Sequence, residues 1–432
     1  MKDEFIHSVT LDRSLCMGCI NCIKRCPTQA IRVRDGKAAI NAQRCIDCAE
    51  CIRICPHHAK TVSADPLSVL GRFEYTIALP PPSFYGQFNN LEDPDQVVSG
   101  LLALGFDEVY EVARAAELVS EASRRLLHTG RVPRPAISSA CPAVMRLIRV
   151  RYPDLIDHVL PLAPPIEVAA RLAKEKAARA TGLAPEKIGC IFLSPCPAKI
   201  SYTRSPIGVQ KSAVDAAVAI KEIYPPLLGA MKHAEPAGAS CTGRIGIGWG
   251  ESGGESAGLV MVDDYLAADG IENVIRVLED LEDEKYQHLE FVELDACAGG
   301  CVGGVLQVEN PYIAKAKMKK LRRYLPVSRA HLPSTSIPPQ MLWDDDLEYA
   351  PVLELSGTRS ERFEKYSQLR RIQDSLPGLD CGSCGAPTCE ALAEDVVRGT
   401  ASVNDCTVLM RRRMEAVLKA LGMGGEQEDK EP

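Results

Sequence analysis

Leu294-Asp295-Ala296-Cys297-Ala298-Gly299-Gly300-Cys301-Val302-Gly303-Gly304 is the stretch on which the interpretation of this chain depends. Two cysteines stand among four glycines, directly after the strand-like apolar run 291–294. Thiolates are soft ligands that suit iron–sulfur clusters and zinc, and glycine lets the backbone approach a bulky inorganic group without a Cβ clash. A glycine-rich turn that carries two buried thiols is the alternative, so this stretch alone does not decide between them.

Two further cysteines lie upstream, each next to a proline at the end of a strand-like segment. They stand in Ser138-Ser139-Ala140-Cys141-Pro142 and in Ser194-Pro195-Cys196-Pro197-Ala198-Lys199. Ligands gather at the carboxyl ends of strands in open α/β sheets, so both cysteines are expected at that edge of a sheet.

The region from about residue 73 to 330 alternates strand-like and helix-like segments, which predicts a layered α/β domain. Short apolar runs predict buried strands, and apolar residues at helical spacing predict amphipathic helices. The predicted strands cover 75–79 and 188–194, and the predicted helices cover 95–104, 113–127 and 166–180.

An internal repeat opens the chain. The run Cys16-x2-Cys19-x2-Cys22-x3-Cys26-Pro27 recurs as Cys45-x2-Cys48-x2-Cys51-x3-Cys55-Pro56. This is the bacterial two-cluster ferredoxin pattern, in which the fourth cysteine of each run ligates the other 4Fe-4S cluster. Zinc is the competing interpretation for any single C-x2-C pair. The predicted ligand sets are Cys16, Cys19, Cys22 and Cys55 for one cluster, and Cys45, Cys48, Cys51 and Cys26 for the other.

A further set of four cysteines lies near the C-terminus, after a proline-rich stretch and a polar helix predicted over 359–374. Its spacing is Cys381-x2-Cys384-x4-Cys389-x16-Cys406. These residues can ligate one more 4Fe-4S cluster, and zinc is the alternative because the long gap also suits a zinc ribbon. Cys389 is expected in the first turn of a helix that runs to about Arg398, where the helix dipole favours a thiolate.

The three central motifs, in this order, resemble the cluster-binding motifs of the iron-iron hydrogenases. The resemblance implies that four cysteines hold a central 4Fe-4S cluster and that Cys301 bridges it to a di-iron subsite. It also implies that the ammonium of Lys199 contacts a cyanide of that subsite. The four ligands implied are Cys141, Cys196, Cys297 and Cys301.

The resemblance covers nearly the whole chain and implies its fold class. It indicates an α/β hydrogenase H-cluster domain with an N-terminal α+β two-cluster ferredoxin domain and a small C-terminal helical iron–sulfur domain. The expected ranges are 1–66 for the ferredoxin domain, 67–330 for the H-cluster domain, 331–357 for a proline-rich linker, 358–422 for the four-cysteine domain and 423–432 for a disordered acidic tail.

Three positions depart from the pattern of highly active members of that family. The position of their proton-relay cysteine is Ala140, which carries no exchangeable proton. Ser194 and Asp295 replace methionines that line the di-iron pocket, so the pocket is expected to be wetter unless Asp295 points to solvent. Glu121 lies on the helix where active members place a relay acid. A general acid typically contributes about 10²–10⁴ in rate, so low turnover is expected.

Composition excludes several other classes of protein. The 432 residues carry a net charge of -7 and are 46% hydrophobic, so the chain is expected to be globular and to bind no nucleic acid. The sequence has no uninterrupted apolar run of about 18 residues and no recognisable export signal, so we expect a cytoplasmic protein without a membrane span. Eighteen cysteines in such a chain indicate metal rather than disulfides. Two are left unassigned, Cys190 as a buried apolar residue and Cys241 without a role.

These features leave two main functions open. The first is a slow or hydrogen-sensing hydrogenase that interconverts H2 with protons and electrons, because Lys199 and all four central cysteines are retained. The second is an electron-transfer subunit that holds only 4Fe-4S clusters, because the relay cysteine is missing. A structural relic without central metal is a third alternative. The alanine and the extra cluster domain resemble the sensory hydrogenases, which implies a separate signalling partner or a redox partner such as a ferredoxin, a flavoprotein subunit or a partner hydrogenase subunit.

Overall fold

The computed structural model describes residues 7–421, which fold into two compact units. The first unit contains residues 7–10, 46–49 and 62–350. The second contains residues 11–45, 50–61 and 351–421, so it combines segments from both ends of the chain.

The strands are short and, in the first unit, mostly buried. In chain order they are β1 (Val9–Leu11), β2 (Ile31–Arg34), β3 (Lys37–Ile40), β4 (Lys60–Val62), β5 (Tyr75–Leu79), β6 (Glu108–Val109), β7 (Ala136–Ile137), β8 (Ile188–Ser194), β9 (Ala216–Ala219), β10 (Tyr265–Asp269) and β11 (Phe291–Asp295).

The α-helices separate most of these strands. They are α1 (Asn21–Lys24), α2 (Glu50–Arg53), α3 (Asp95–Ala103), α4 (Val112–Thr129), α5 (Pro142–Arg151), α6 (Pro165–Thr181), α7 (Pro197–Arg204), α8 (Ile220–Met231), α9 (Arg244–Gly248), α10 (Gly254–Gly258), α11 (Ile271–Glu282), α12 (Pro311–Arg322), α13 (Arg359–Ser375), α14 (Cys389–Val397) and α15 (Thr407–Ala420).

The first unit contains two parallel sheets. One has the strand order β6-β5-β8-β9 and the other the order β10-β11-β7. In the first, Tyr75 is paired with Ile188 and Leu79 with Phe192. All seven residues of β8 are buried, as is typical of a strand in a parallel sheet that is covered on both faces. The layered α/β prediction is therefore confirmed for this region.

The predicted elements are found close to their expected bounds. The two predicted strands have the bounds of β5 and β8, and the three predicted helices are α3, α4 and α6, each within two residues at either end. Glycine ends α4 and α6, because Gly130 and Gly182 take the left-handed conformation that stops a helix.

The proline-rich stretch is irregular, as its composition indicated, apart from a short 3-10 turn at Pro339–Met341. Its first part is nevertheless packed. Met341 is 2% exposed and belongs to the core of the first unit together with Leu332 and Leu347. Residues 331–350 are therefore not a free tether.

The second unit joins a hairpin from the start of the chain to three C-terminal helices. Strands β2 and β3 are antiparallel and turn at Asp35 and Gly36, both of which have positive φ. The Val33 amide donates to the Gly385 carbonyl at 2.8 Å. Helix α13 is the predicted polar helix, and an apolar cluster that includes Leu369, Leu376 and Leu392 joins it to α14.

Two predictions concern the two ends of the chain. The proposed acidic tail lies outside the described residues, as do the first six residues on which the absence of an export signal was judged. Within residues 7–421, the helices are all too short or too polar to cross a membrane.

Candidate metal centres

The central cysteines lie at the carboxyl ends of three parallel strands. Cys141 follows β7 and Cys196 follows β8, and each is the residue directly before a helix that begins with proline. Proline suits the first helical position because its missing N–H would be unpaired there in any case. Cys297 and Cys301 follow β11. The expected placement of the cysteines at a sheet edge is confirmed.

The turn between Cys297 and Cys301 requires glycine. Gly300 has a φ of +87°, and a Cβ on it would lie 2.4 Å from the backbone nitrogen of Ser252. A Cβ on Gly303 would lie 2.0 Å from the carbonyl oxygen of Ala298. The backbone is therefore wound too tightly for any side chain at these two positions.

Lys199 lies among the central thiols. Its Nζ is 3.2 Å from Cys301 Sγ. Burial alone would lower the pKa of Lys199, but the charges of Cys301, Cys196 and Cys141 outweigh it and raise that pKa. Burial also raises the pKa of the thiols of Cys301 and Cys141, and Lys199 opposes that rise. Buried thiols gathered around one cation are suited to binding a metal cluster, since a metal stabilises the thiolate form.

A cavity of about 50 Å³ opens beside Cys301 and Lys199. This volume is several times what one water molecule needs. Part of its wall is apolar, and includes Val112, Ala116 and Phe192. Its polar wall consists of Cys301, Lys199, Trp249, Glu255, Glu293 and Asp295.

Three acidic side chains on that wall, those of Asp295, Glu255 and Glu293, have raised pKa values. Burial, followed by the charge of Glu293, raises the pKa of Asp295 to about 8. Burial and the charge of Glu293 raise the pKa of Glu255 well above its usual value. Burial also raises the pKa of Glu293, although the amides of Gly253 and Ser256 donate to its carboxylate at 2.9 and 2.8 Å.

A chain of hydrogen bonds leads from Ala140 to one of these acids. The Ala140 amide donates to Ser138 Oγ at 3.1 Å, and Ser138 Oγ donates to Glu255 Oε2 at 2.6 Å. Neither Glu255 nor Glu293 was predicted from the sequence. A signal for Glu293 was present, because it is the one charged residue within the apolar run 291–294.

The structure also places the residues that depart from the family pattern. Ala140 lines the cavity, and so does Asp295, which therefore does not point to solvent. Ser194 is fully buried, and its hydroxyl donates to the Cys196 carbonyl at 2.8 Å. This hydrogen bond stabilises the turn that carries Cys196. Glu121 is held elsewhere, by an ion pair with Arg125 and by the Leu332 amide at 2.9 Å. Its role as a relay acid stays a prediction.

In the second unit, the structure brings together one of the two predicted N-terminal ligand sets. The charges of Cys19, Cys16 and Cys55 all act on the thiol of Cys22, whose pKa is raised mainly by burial. The Ala38 amide donates to Cys16 Sγ at 3.4 Å. Cys55 therefore lies near the thiols of the first run, and its assignment as their fourth ligand stays a prediction.

The other N-terminal set stays a prediction. Cys26, Cys45 and Cys51 belong to the second unit, and the Ala30 amide donates to Cys26 Sγ at 3.2 Å. Cys48 falls in the segment 46–49, where it packs against the core of the first unit. Its neighbour Asp47 accepts from Ser201 Oγ in α7, the helix that begins next to Cys196.

The C-terminal thiols also converge. Burial raises the pKa of Cys384, and the charges of Cys406 and Cys381 act in the same direction. Cys389 is the first residue of α14, as predicted. Of the two unassigned cysteines, Cys190 is fully buried, which raises its pKa to about 12, whereas Cys241 is exposed.

Parallel sheets that carry cysteines at their carboxyl ends, together with two cysteine-rich segments in a second unit, define an iron–sulfur redox protein. The family profile described as "Iron only hydrogenase large subunit, C-terminal domain" matches residues 74–231 and 254–305. A 4Fe-4S dicluster domain matches residues 8–56, and an Fe-S cluster family matches residues 376–408. The chain therefore belongs to an iron-iron hydrogenase large-subunit-like family.

Individual relatives are distant. Iron hydrogenase 1 of Clostridium pasteurianum is 23% identical over 400 residues, which cover 74% of this chain and 68% of that protein. The periplasmic Fe hydrogenase large subunit of Nitratidesulfovibrio vulgaris is 30% identical over 214 residues, 45% of this chain and 51% of that protein. A subunit of the NADP-reducing hydrogenase of Solidesulfovibrio fructosivorans is 24% identical over 260 residues, 48% of this chain and 44% of its own length.

Among solved structures, a variant of the FeFe-hydrogenase of Chlamydomonas reinhardtii is similar with a TM-score of 0.49 and 17% identity. The similarity covers 67% of this chain and 97% of that one.

Proposed function

We propose that this chain is a hydrogenase-type oxidoreductase of low turnover, or a hydrogen sensor, that interconverts H2 with two protons and two electrons. The observation that carries the proposal is the cavity bordered by Cys301 and Lys199. A buried ammonium 3.2 Å from a proposed ligand sulfur suits a site that receives an anionic group.

The donor set fits the proposed cofactor. Soft thiols favour an iron–sulfur cluster, and the cavity lies directly beside Cys301, the residue proposed to border the di-iron group. Cys141, Cys196, Cys297 and Cys301 would hold the cluster, with Cys301 next to the di-iron group. When bound, the di-iron group supplies the metal centre at which H2 is split or formed.

The residues of the cavity would manage charge and protons. Lys199 Nζ would donate to an anionic ligand on the cofactor, and the apolar wall would limit the entry of water. Burial, followed by the charge of Glu293, raises the pKa of Glu255 well above its usual value, which favours the protonated carboxyl. Its carboxyl lines the cavity and accepts from Ser138 Oγ at 2.6 Å, so it can hold a proton beside the proposed cofactor. Ala140 holds no proton, which accounts for the low turnover that we propose.

Electrons would pass through the N-terminal segment. Asp47 is fully buried and ties the segment that carries Cys48 to α7. Such an anchor keeps a proposed ligand of the N-terminal set at a constant position relative to the helix that begins beside Cys196. A redox partner protein, such as a ferredoxin or a partner subunit, would accept or supply these electrons, and the naming of two relatives as subunits supports this.

A second candidate function is electron transfer without H2 chemistry. The observation that favours it is the composition of the cavity wall, where Ala140 occupies the position expected for the relay cysteine and Asp295 makes the wall more polar. In this case the central cysteines would hold a 4Fe-4S cluster alone.

An infrared spectrum distinguishes the two candidates. Protein produced anaerobically with the di-iron maturation machinery should show carbonyl and cyanide stretches, in a spectral window where proteins are otherwise silent. Bands that shift under hydrogen support the first candidate. A blank window together with intact 4Fe-4S signals would leave only the second.

Turnover of Ala140→Cys tests the role of the missing relay. The new thiol should raise turnover by about 10²–10⁴, the usual contribution of a positioned general acid. Ala116→Cys, which places a thiol elsewhere on the same cavity wall, serves as the control and should not raise it. An unchanged rate in Ala140→Cys, with the infrared bands present, would mean that another step limits the enzyme.

A further inference from the structure

Lys60 is a buried cation in the second unit. It begins β4 and is 4% exposed. Within the part of the chain that the structure describes, its Nζ is buried and has no hydrogen-bond partner. Burying an ammonium without a partner is costly unless a negative group nearby compensates for it.

The groups beside Lys60 belong to the proposed ligand set of Cys16, Cys19, Cys22 and Cys55. Lys60 lies close enough to Cys16 and Cys22 for its positive charge to act on both thiols. Lys37 also acts on Cys16, but its Nζ already donates to the Cys16 carbonyl at 2.7 Å. Lys60 is therefore a buried positive charge near this ligand set, and its Nζ has no hydrogen-bond partner among the described residues.

Lys60 has no charged counterpart in the other half of the internal repeat. Cys55-Pro56-His57-His58-Ala59-Lys60 corresponds to Cys26-Pro27-Thr28-Gln29-Ala30-Ile31. Ile31 begins β2 as Lys60 begins β4, and it is 2% exposed. The same buried position thus carries an apolar side chain in one half and a cation in the other.

We propose that Lys60 raises the reduction potential of the cluster held by Cys16, Cys19, Cys22 and Cys55 and so makes the two N-terminal clusters unequal. Reduction adds one electron, and hence one negative charge, to a cluster. A fixed positive charge in a poorly screened interior favours that more negative state. Net charge near the cluster is one of the factors that set cluster potentials.

The consequence is a direction for electron flow. An electron that enters the N-terminal segment would reside preferentially on the cluster next to Lys60, and the other N-terminal cluster would be reduced at a lower potential. The inference depends on the proposed ligand sets. It does not depend on the di-iron group, so its failure and the failure of the proposed hydrogenase function are distinguishable.

The test is a redox titration of the full-length holoprotein with dithionite, followed by electron paramagnetic resonance of the reduced clusters. In Lys60→Met, the ratio of reduced to oxidised cluster should fall at least tenfold at a fixed potential, which is about 59 mV for one electron. The fall should be confined to one N-terminal signal, which Cys19→Ser identifies. Lys60→Arg keeps the charge and should retain the potential, and Arg13→Gln removes an exposed, solvent-screened charge and should have no effect.

Three results would overturn the proposal. The first is an unchanged midpoint in Lys60→Met with both clusters assembled. The second is an equal shift of both N-terminal signals, which would indicate a general loss of charge. The third concerns assembly, for which Lys60→Gln is the second neutral variant. If neither neutral variant assembles the cluster while Lys60→Arg does, the lysine is needed for assembly and does not tune the potential.

Discussion

Glu255 shows how a single residue in the cavity links burial to protonation. Its carboxylate accepts from Ser138 Oγ, and the charges of Glu293 and Asp295 act on it. Burial is the largest cause of its raised pKa, since an ion in this wall loses its hydration. A carboxyl in such a place stays protonated at a pH where an exposed one is ionised.

Substitution of Glu255 by glutamine should change how stability depends on pH. A carboxyl whose pKa is raised in the folded state holds a proton that the unfolded chain releases above a pH of about 4.3. The folded state therefore loses stability as pH rises, by up to about 1.4 kcal/mol per pH unit. Glu255→Gln removes this loss, so its melting temperature should exceed that of the parent at pH 8 and converge with it near pH 4.

Thermal unfolding under anaerobic conditions measures this effect. Glu235→Gln, which alters an exposed carboxylate, is the control and should melt like the parent at both pH values. If Glu255→Gln melts below the parent at pH 8, then the carboxyl is ionised in the fold and our assignment of its proton is wrong.

At the scale of an element, the turn after β11 is where backbone geometry limits the choice of residue. Gly299 and Gly300 both have positive φ, at +85° and +87°. A Cβ on Gly299 would make ordinary contacts with the end of Lys315 at 3.4 Å and with Pro311 at 3.6 Å, whereas on Gly300 it would clash with the backbone of Ser252 at 2.4 Å. The two neighbouring glycines thus share a conformational requirement and differ in the space around them.

Alanine at these two positions should have unequal effects. Gly299→Ala should cost about 1–2 kcal/mol, the usual cost of the left-handed conformation. Gly300→Ala adds a backbone clash, so it should displace the loop between Cys297 and Cys301 and lower the iron content as well as the melting temperature. Equal melting temperatures and equal iron content in the two variants would show that the loop can relax around the new methyl group.

At the scale of the whole molecule, ion pairs join the N-terminal hairpin to the C-terminal helices within the second unit. Asp395 in α14 accepts from Arg32 at 2.7 and 3.0 Å and from Arg34 at 2.8 Å. Arg44 pairs with Glu394. These residues are largely buried, so each charge depends on its partner.

Removal of Asp395 should destabilise the second unit. Asp395→Ala leaves two arginines without their shared carboxylate, and breaking such a pair costs about 3–5 kcal/mol. Thermal unfolding and faster hydrogen exchange of the β2 and β3 amides should report the loss. Glu415→Ala breaks an exposed pair with Arg411 and should cost at most about 1 kcal/mol. Similar effects in both variants would argue against a structural role for the Asp395 pairs.

The sequence by itself determined the cluster motifs and much of the fold. Cysteine spacing is constrained by cluster geometry, and buried strands such as β5 and β8 are visible as apolar runs, so both are encoded locally. The apolar run around Cys190 predicted its burial, and Cys389 lies in the first turn of a helix, as its sequence context predicted.

Only the tertiary structure decided which polar groups meet those motifs. Glu255 reaches the cavity beside Cys301, Lys60 is enclosed beside Cys16 and Cys22, and Asp395 meets Arg32 from the other end of the chain. Glu121 has the right type and the right helix, yet its carboxylate is directed at Arg125. The physical reason is that each of these contacts depends on the direction of a side chain after distant segments have packed. The spacing of residues along the chain does not determine that direction.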